Sequence, residues 1–215
     1  MNLDLSLYLV TDRPLSRGRD IRWIVSQAVQ GGATVVQLRE KDLETRAFIK
    51  LAIDIKALLD PKGIPLIIND RLDVVLAAEA DGLHVGQSDM PYGMARRLLG
   101  PDKIIGLSVE SVGQARQAQS LDADYLGISP VFGTATKTDL AQPMDLAGVA
   151  EIAAFTRIPT VGIGGIGPDN AAKVMAAGAD GVAVVSAIVS ADDPCQAARN
   201  IMEQVKAGRR KRRSP

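Results

Sequence analysis

The sequence predicts a single-domain α/β fold, a (β/α)8 barrel of the TIM type. Three observations carry that reading. Short β-branched runs alternate with longer amphipathic segments along all 215 residues. Eight such runs can be marked. No linker divides the chain: its 11 prolines and 20 glycines are spread out, which implies many short turns. Eight βα units without a linker close into a barrel. A doubly wound open sheet is the runner-up, but no Gly-x-Gly-x-x-Gly follows the first strand.

Strands are expected at Leu5–Thr11, Val35–Leu38, Leu66–Ile68, Gly82–Val85, Ile104–Leu107, Tyr125–Ile128, Thr160–Ile163 and Gly181–Val185. Helices fill the intervals. In the one after the second strand, Phe48, Leu51, Ala52, Ile55, Leu58 and Leu59 form an apolar stripe at helical spacing. The last helix is expected to open at Asp193-Pro194, a capping residue followed by proline in the first turn. A short phrase recurs before strands: Glu79-Ala80-Asp81-Gly82, then Leu121-Asp122-Ala123-Asp124-Tyr125, then Gly178-Ala179-Asp180-Gly181. It reads as a weak repeat of one supersecondary unit.

Apolar residues make up 47% of the chain, enough for a large core without staples. A single cysteine, Cys195, excludes an internal disulfide framework and fits a reducing compartment. The N-terminus has no basic region and runs directly into a strand pattern, and no stretch reaches the roughly 18 apolar residues of a membrane helix. The expectation is a soluble cytoplasmic protein with no membrane partner. Formal net charge is zero, but Arg209, Arg210, Lys211, Arg212 and Arg213 put five positive charges at the C-terminus. No aromatics interleave with them and no nucleic-acid module is visible, so no nucleic-acid partner is expected. The barrel is assigned to residues 1–207 and a basic, disordered tail to 208–215. A homo-oligomer stays open.

Barrel enzymes place their chemistry at the C-terminal ends of the strands. Polar groups collect there: Gln37, Arg39, Glu40 and Lys41 after strand 2, Asn69, Asp70 and Arg71 after strand 3, and His84, Gln87 and Asp89 around strand 4. Ser108 follows strand 5, Thr134-Ala135-Thr136-Lys137 strand 6, Gly164-Gly165 strand 7 and Ser186 strand 8. Asp70 and Asp89 lie beyond adjacent strands, so both carboxylates could reach one point. Mg2+ takes one or two carboxylates plus substrate phosphates. The bland alternative for either aspartate is a helix cap. Residues 37, 39 and 41 point the same way along a strand, and two adjacent cations suit a diphosphate. The alternative is an ion pair with Glu40.

Gly162-Ile163-Gly164-Gly165-Ile166 lets backbone N–H groups approach a phosphate, and loops 7 and 8 are the usual barrel phosphate site. An ordinary turn is the alternative. The polar loop from Pro130 to Pro143 reads as a lid or a plain connection. His84, the only histidine, lies inside a strand and reads as structural. Cys195, Trp23 and Met175 read as packing residues.

Taken together, these phrases resemble the thiamin-phosphate synthase family. They are Tyr8-Leu9-Val10-Thr11-Asp12, Val36-Gln37-Leu38-Arg39-Glu40-Lys41, Ile68-Asn69-Asp70, Asp81-Gly82-Leu83-His84-Val85-Gly86-Gln87, Gly127-Ile128-Ser129-Pro130-Val131-Phe132, Thr134-Ala135-Thr136-Lys137 and Val161-Gly162-Ile163-Gly164-Gly165-Ile166. The resemblance spans about residues 7–194. It implies the (β/α)8 fold and the joining of a pyrimidine diphosphate to a thiazole phosphate, with release of pyrophosphate. Gln37, Arg39, Lys41, Asn69 and Lys137 would contact the pyrimidine diphosphate, in a substrate-binding stretch that includes Leu38 and Glu40. Arg39, Lys41 and Lys137 would be catalytic. Asp70 and Asp89 would hold Mg2+, and Ser108 would face the pyrimidine. Thr134, Ala135, Thr136, Gly165, Val185 and Ser186 would line the thiazole phosphate site. The implied mechanism is dissociative, with pyrophosphate leaving before the thiazole nitrogen attacks. It needs no protein nucleophile, and no Ser-His-Asp or Cys-His arrangement is visible. Ser129 stands where the family often has glycine. A thiazole tautomerase, a sugar-phosphate epimerase and a non-catalytic sensing barrel are the competing readings.

Overall fold

The computed structural model describes residues 3–133 and 142–213. Eight parallel strands close into a barrel in sequence order: β1 Leu7–Val10, β2 Val35–Leu38, β3 Leu66–Asn69, β4 Gly82–Val85, β5 Ile104–Val109, β6 Tyr125–Ile128, β7 Thr160–Ile163 and β8 Gly181–Val184. Between them run α1 Ile21–Gln30, α2 Thr45–Leu59, α3 Leu72–Ala77, α4 Tyr92–Leu99, α5 Val112–Ser120, α6 Asp145–Phe155 and α7 Ala171–Ala176. The short α8, Ser186–Val189, and the long α9, Pro194–Arg213, follow β8. All eight expected strands are present. The largest boundary difference is β1, expected over Leu5–Thr11 and found over Leu7–Val10; β5 continues through Val109 and so contains Ser108. Its pairing with β6 runs on through Ser108–Gly127 and Val109–Ile128, and a Cβ on Gly127 would lie 3.2 Å from the His84 ring.

Alternation along the strands sorts the core into two layers. Leu7, Leu9, Val36, Leu38, Ile68 and Leu83 point outward into the layer under the helices. Tyr8, Val10, Val35, Ile67, Tyr125, Val161 and Ala183 fill the barrel interior. Gly106 admits Tyr125: a Cβ there would lie 2.0 Å from the tyrosine ring.

The recurrent phrase has a definite structural job, and it has a fourth member, Gly32-Ala33-Thr34-Val35. The residue before its alanine is left-handed in each copy: Gly32 at φ 110°, Glu79 at 52°, Asp122 at 58° and Gly178 at 119°. The alanine itself is always buried. In three copies its N–H closes the preceding helix, as with Ala80 to the Val75 carbonyl at 3.0 Å. The residue after the alanine ties two strands together. Thr34, Asp81, Asp124 and Asp180 accept the backbone N–H of Leu7, Leu66, Ile105 and Thr160, at 3.1, 2.8, 2.7 and 2.9 Å. These four donors are the first or second residues of β1, β3, β5 and β7. Each of the three aspartates also meets a cation from a helix. Asp81 meets Lys56 at 3.2 Å, Asp124 meets Arg96, and Asp180 meets Arg212 at 3.6 Å. The barrel is thus stapled at every second strand, at the end opposite the expected site.

Arg212 belongs to the basic end, and here the structure departs from the disordered tail expected from residue 208. Helix α9 continues through Arg213. Gly208 lies flat on α7, where a Cβ would come within 2.5 Å of the Ala172 carbonyl oxygen and Met175. Arg209 donates to the Asp180 carbonyl at 2.6 Å and Arg212 to that of Gly178 at 2.7 Å. These cations are held because they cap carbonyls at the bottom of the barrel. Trp23 also departs from expectation. It is 42% exposed, with Arg19 stacked 5.6 Å from its ring centroid, rather than packed on the barrel. Met175 is fully buried, as expected. Among the described residues, no helix is long and apolar enough to cross a membrane.

Candidate active site

A cavity of about 250 Å³ opens at the C-terminal end of the strands. Its floor is polar. Tyr8, Gln37, His84, Ser108 and Tyr125 meet there. One wall carries Arg39, Lys41, Asn69, Asp70 and Asp89, and the other carries Gly164, Gly165, Val185 and Ser186.

The charged wall follows from alternation past the end of β2. Gln37, Arg39 and Lys41 face the cavity, while Leu38 is fully buried in the outer core. Glu40 turns away and takes both nitrogens of the Arg13 fork, at 2.7 and 2.8 Å. The expected substrate-binding stretch therefore contributes three side chains to the cavity and not five. Leu38 and Glu40 serve packing and an ion pair. Arg39 pairs with the buried Asp12 at 2.7 Å, and its N–H donates to the Thr11 hydroxyl at 3.0 Å. Its guanidinium is fixed before any ligand arrives. Lys41 pairs with Asp70 at 2.5 Å.

Neither aspartate caps a helix. Asp70 has φ 59°, and α3 begins after Arg71 without a side-chain cap. Its N–H donates to the His84 carbonyl at 2.9 Å, which pins the loop to β4. Asp89 accepts the Gly86 N–H at 2.7 Å, and α4 likewise lacks a side-chain cap. Burial pushes the Asp89 carboxyl above the usual carboxylate range, and the nearby Asp70 adds to the rise. Two hard oxygen donors that crowd each other fit a divalent cation completed by ligand phosphates and water. Among the described residues, no group of three or more His, Cys, Asp or Glu could hold a metal. This donor set therefore offers part of a coordination shell and leaves the rest to a ligand.

The glycine wall is shaped by the start of the loop after β6. Gly164 has φ 103° and Gly165 has φ 62°; a Cβ on the first would lie 2.9 Å from Pro130, and on the second 2.6 Å from the Gly133 carbonyl oxygen. Close packing thus requires both glycines, and the same packing leaves backbone at the cavity surface.

Comparisons with known proteins show the family and the fold. The family model described as thiamine monophosphate synthase matches residues 7–188. The chain is 52% identical to the thiamine-phosphate synthase of Albidiferax ferrireducens, over 94% of this chain and 93% of the relative. It is 53% identical to that of Chloroflexus aurantiacus, over 93% and 92%. A solved thiamine phosphate pyrophosphorylase from Pyrococcus furiosus superposes with a TM-score of 0.89 at 36% identity, covering 96% of this chain and 98% of that one. The chain belongs to the thiamine monophosphate synthase family.

Membership makes it a transferase of thiamine biosynthesis, as the sequence implied. Every expected site residue falls within the span matched to the thiamine monophosphate synthase family. The cavity brings together Gln37, Arg39, Lys41, Asn69, Asp70, Asp89, Ser108, Gly165, Val185 and Ser186. Thr134, Ala135, Thr136 and Lys137 lie outside the described residues. Sequence reading misses Tyr8 and Tyr125 and gives His84 a structural role only. A signal for one of them exists: in Leu7-Tyr8-Leu9-Val10, alternation sends Tyr8 inward when Leu7 and Leu9 face the helices.

Proposed function

We propose that the chain joins 4-amino-2-methyl-5-hydroxymethylpyrimidine diphosphate to 4-methyl-5-(2-hydroxyethyl)thiazole phosphate, giving thiamin phosphate and pyrophosphate. The observation that carries this reading is the opposition of two walls across one small cavity. One wall holds Arg39, Lys41, Asp70 and Asp89, and the other holds Gly164, Gly165 and Ser186. The first suits a diphosphate and the second a single phosphate.

In the reaction, the carbon–oxygen bond to the diphosphate breaks and the electron pair leaves with pyrophosphate. The bond from the thiazole nitrogen to the pyrimidine methylene carbon then forms. Arg39 and Lys41 stabilise the charge that gathers on the leaving group, joined by Lys137. Asp12 holds Arg39 in place for this. Asp70 and Asp89 would hold Mg2+, which when bound supplies further positive charge beside the pyrophosphate. The glycine wall and Ser186 fix the thiazole phosphate so that its nitrogen faces the reacting carbon. No side chain needs to act as nucleophile or strong base.

The test is pyrophosphate release by the purified protein with both substrates and Mg2+, with single-substrate and EDTA controls. Release that requires all three, with thiamin phosphate formed in equal amount, is the expected result. A folded protein that releases nothing, or that only isomerises the thiazole, would overturn the proposal.

A further inference from the structure

The floor of the cavity is one chain of hydrogen bonds. Gln37 Nε2 donates to the Tyr8 hydroxyl at 2.9 Å. The Tyr8 and Tyr125 hydroxyls are 2.7 Å apart, and Tyr125 lies 2.9 Å from His84 Nδ1. His84 Nε2 is 2.9 Å from the Ser108 hydroxyl oxygen. Both tyrosines are fully buried, and burial pushes both phenols up, so each keeps its proton.

Counting protons gives this chain a direction. Tyr8 already accepts from Gln37, so its own proton goes to Tyr125, its other hydrogen-bond partner. Tyr125 then has one proton left to place, and His84 Nδ1 receives it. A histidine that accepts at Nδ1 carries its proton on Nε2 when neutral. Nε2–H therefore donates to Ser108. The reverse direction would send two donors to Tyr8 and leave its proton without either partner as acceptor.

We propose that Tyr8, Tyr125 and His84 are positioning residues that fix Ser108 as a hydrogen-bond donor to the cavity, so that it reads an acceptor ring nitrogen on the bound pyrimidine. The identity of that ligand rests on the function proposed above; the direction of the chain does not. A pyrimidine with an N–H at the same place would meet a second donor and be rejected, because a buried donor facing a donor leaves both unpaired.

His84 is the only histidine in the chain, so 15N-labelled histidine in the untagged protein reports this ring alone. The expected spectrum at neutral pH has an unprotonated, pyridine-type Nδ1 and a protonated, pyrrole-type Nε2. The opposite tautomer, a mixture or two protonated nitrogens would overturn the proposal. Tyr8→Phe, which removes the group that orients Tyr125 without touching His84 or Ser108, should let both tautomers populate. It should raise KM for the pyrimidine diphosphate about fivefold to tenfold, the loss of one neutral hydrogen bond, with KM for the thiazole phosphate unchanged. An unaltered histidine spectrum in folded Tyr8→Phe would also overturn it. Absence of activity with an Nε2–H spectrum would instead count against the substrate assignment alone.

Discussion

Lys41 Nζ lies 2.5 Å from Asp70 Oδ2, so the carboxylate assigned to Mg2+ is already paired with the lysine assigned to the diphosphate. The two ligands would arrive together and exchange partners: the cation takes Asp70, and the diphosphate takes Lys41. In Lys41→Met the competitor for Asp70 is gone. Mg2+ binding without substrate, measured by calorimetry, should tighten several-fold, since a like charge has left the site. Turnover should still fall by about 100-fold, because a donor to the leaving group is lost. Unchanged Mg2+ affinity would show that Asp70 is not shared.

Asp70 also stands in a left-handed backbone conformation, at φ 59°. Alanine there pays a steric penalty of about 1 kcal/mol that asparagine largely escapes. Asp70→Ala should therefore lose both turnover and stability. Asp70→Asn should lose turnover by about 100-fold while denaturant unfolding shifts by less than about 0.5 kcal/mol, because the pair with Lys41 is solvent-accessible. Full Mg2+-dependent activity in Asp70→Asn would remove the residue from the metal site.

Much of the fold and of the site is legible in the sequence. Alternation of short β-branched runs with amphipathic segments locates all eight strands, since burial on both faces makes parallel strands read as continuous apolar runs. The separate, residue-by-residue alternation of side chains along an extended strand places Gln37, Arg39 and Lys41 on one face. What stays hidden depends on neighbours distant in sequence. Nothing local to Glu40 announces Arg13, and nothing local to Gly165 announces the Gly133 carbonyl. The basic end escapes sequence reading for the same reason: Arg209 and Arg212 meet carbonyls 29 and 34 residues earlier.

The Asp124 staple tests whether the recurrent phrase is structural. Its carboxylate accepts the N–H of the fully buried Ile105 at 2.7 Å and pairs with Arg96. Asp124→Ala leaves that N–H without its acceptor, which costs about 1–3 kcal/mol. Tm should fall by roughly 2–12 °C for a chain of this size. KM for both substrates should be unchanged, because the staple lies at the opposite end of the barrel from the cavity. A variant with native Tm would make the phrase a coincidence of turns.

The basic end offers a cleaner separation of readings. If residues 209–215 were a solvated tail, removing them would change nothing in the folded state. In the structure, Arg209 and Arg212 donate to the carbonyls of Asp180 and Gly178, and Arg212 pairs with the Asp180 carboxylate that also holds the start of β7. A chain ending at Gly208 should lose these bonds, about 1–2 kcal/mol in total, and melt roughly 2–8 °C lower, with turnover at 25 °C unaffected. The loss should be smaller in an Asp180→Asn background, where the shared carboxylate is already gone and the two changes are no longer independent. Equal losses in both backgrounds would mean that the helix end acts through the backbone carbonyls alone.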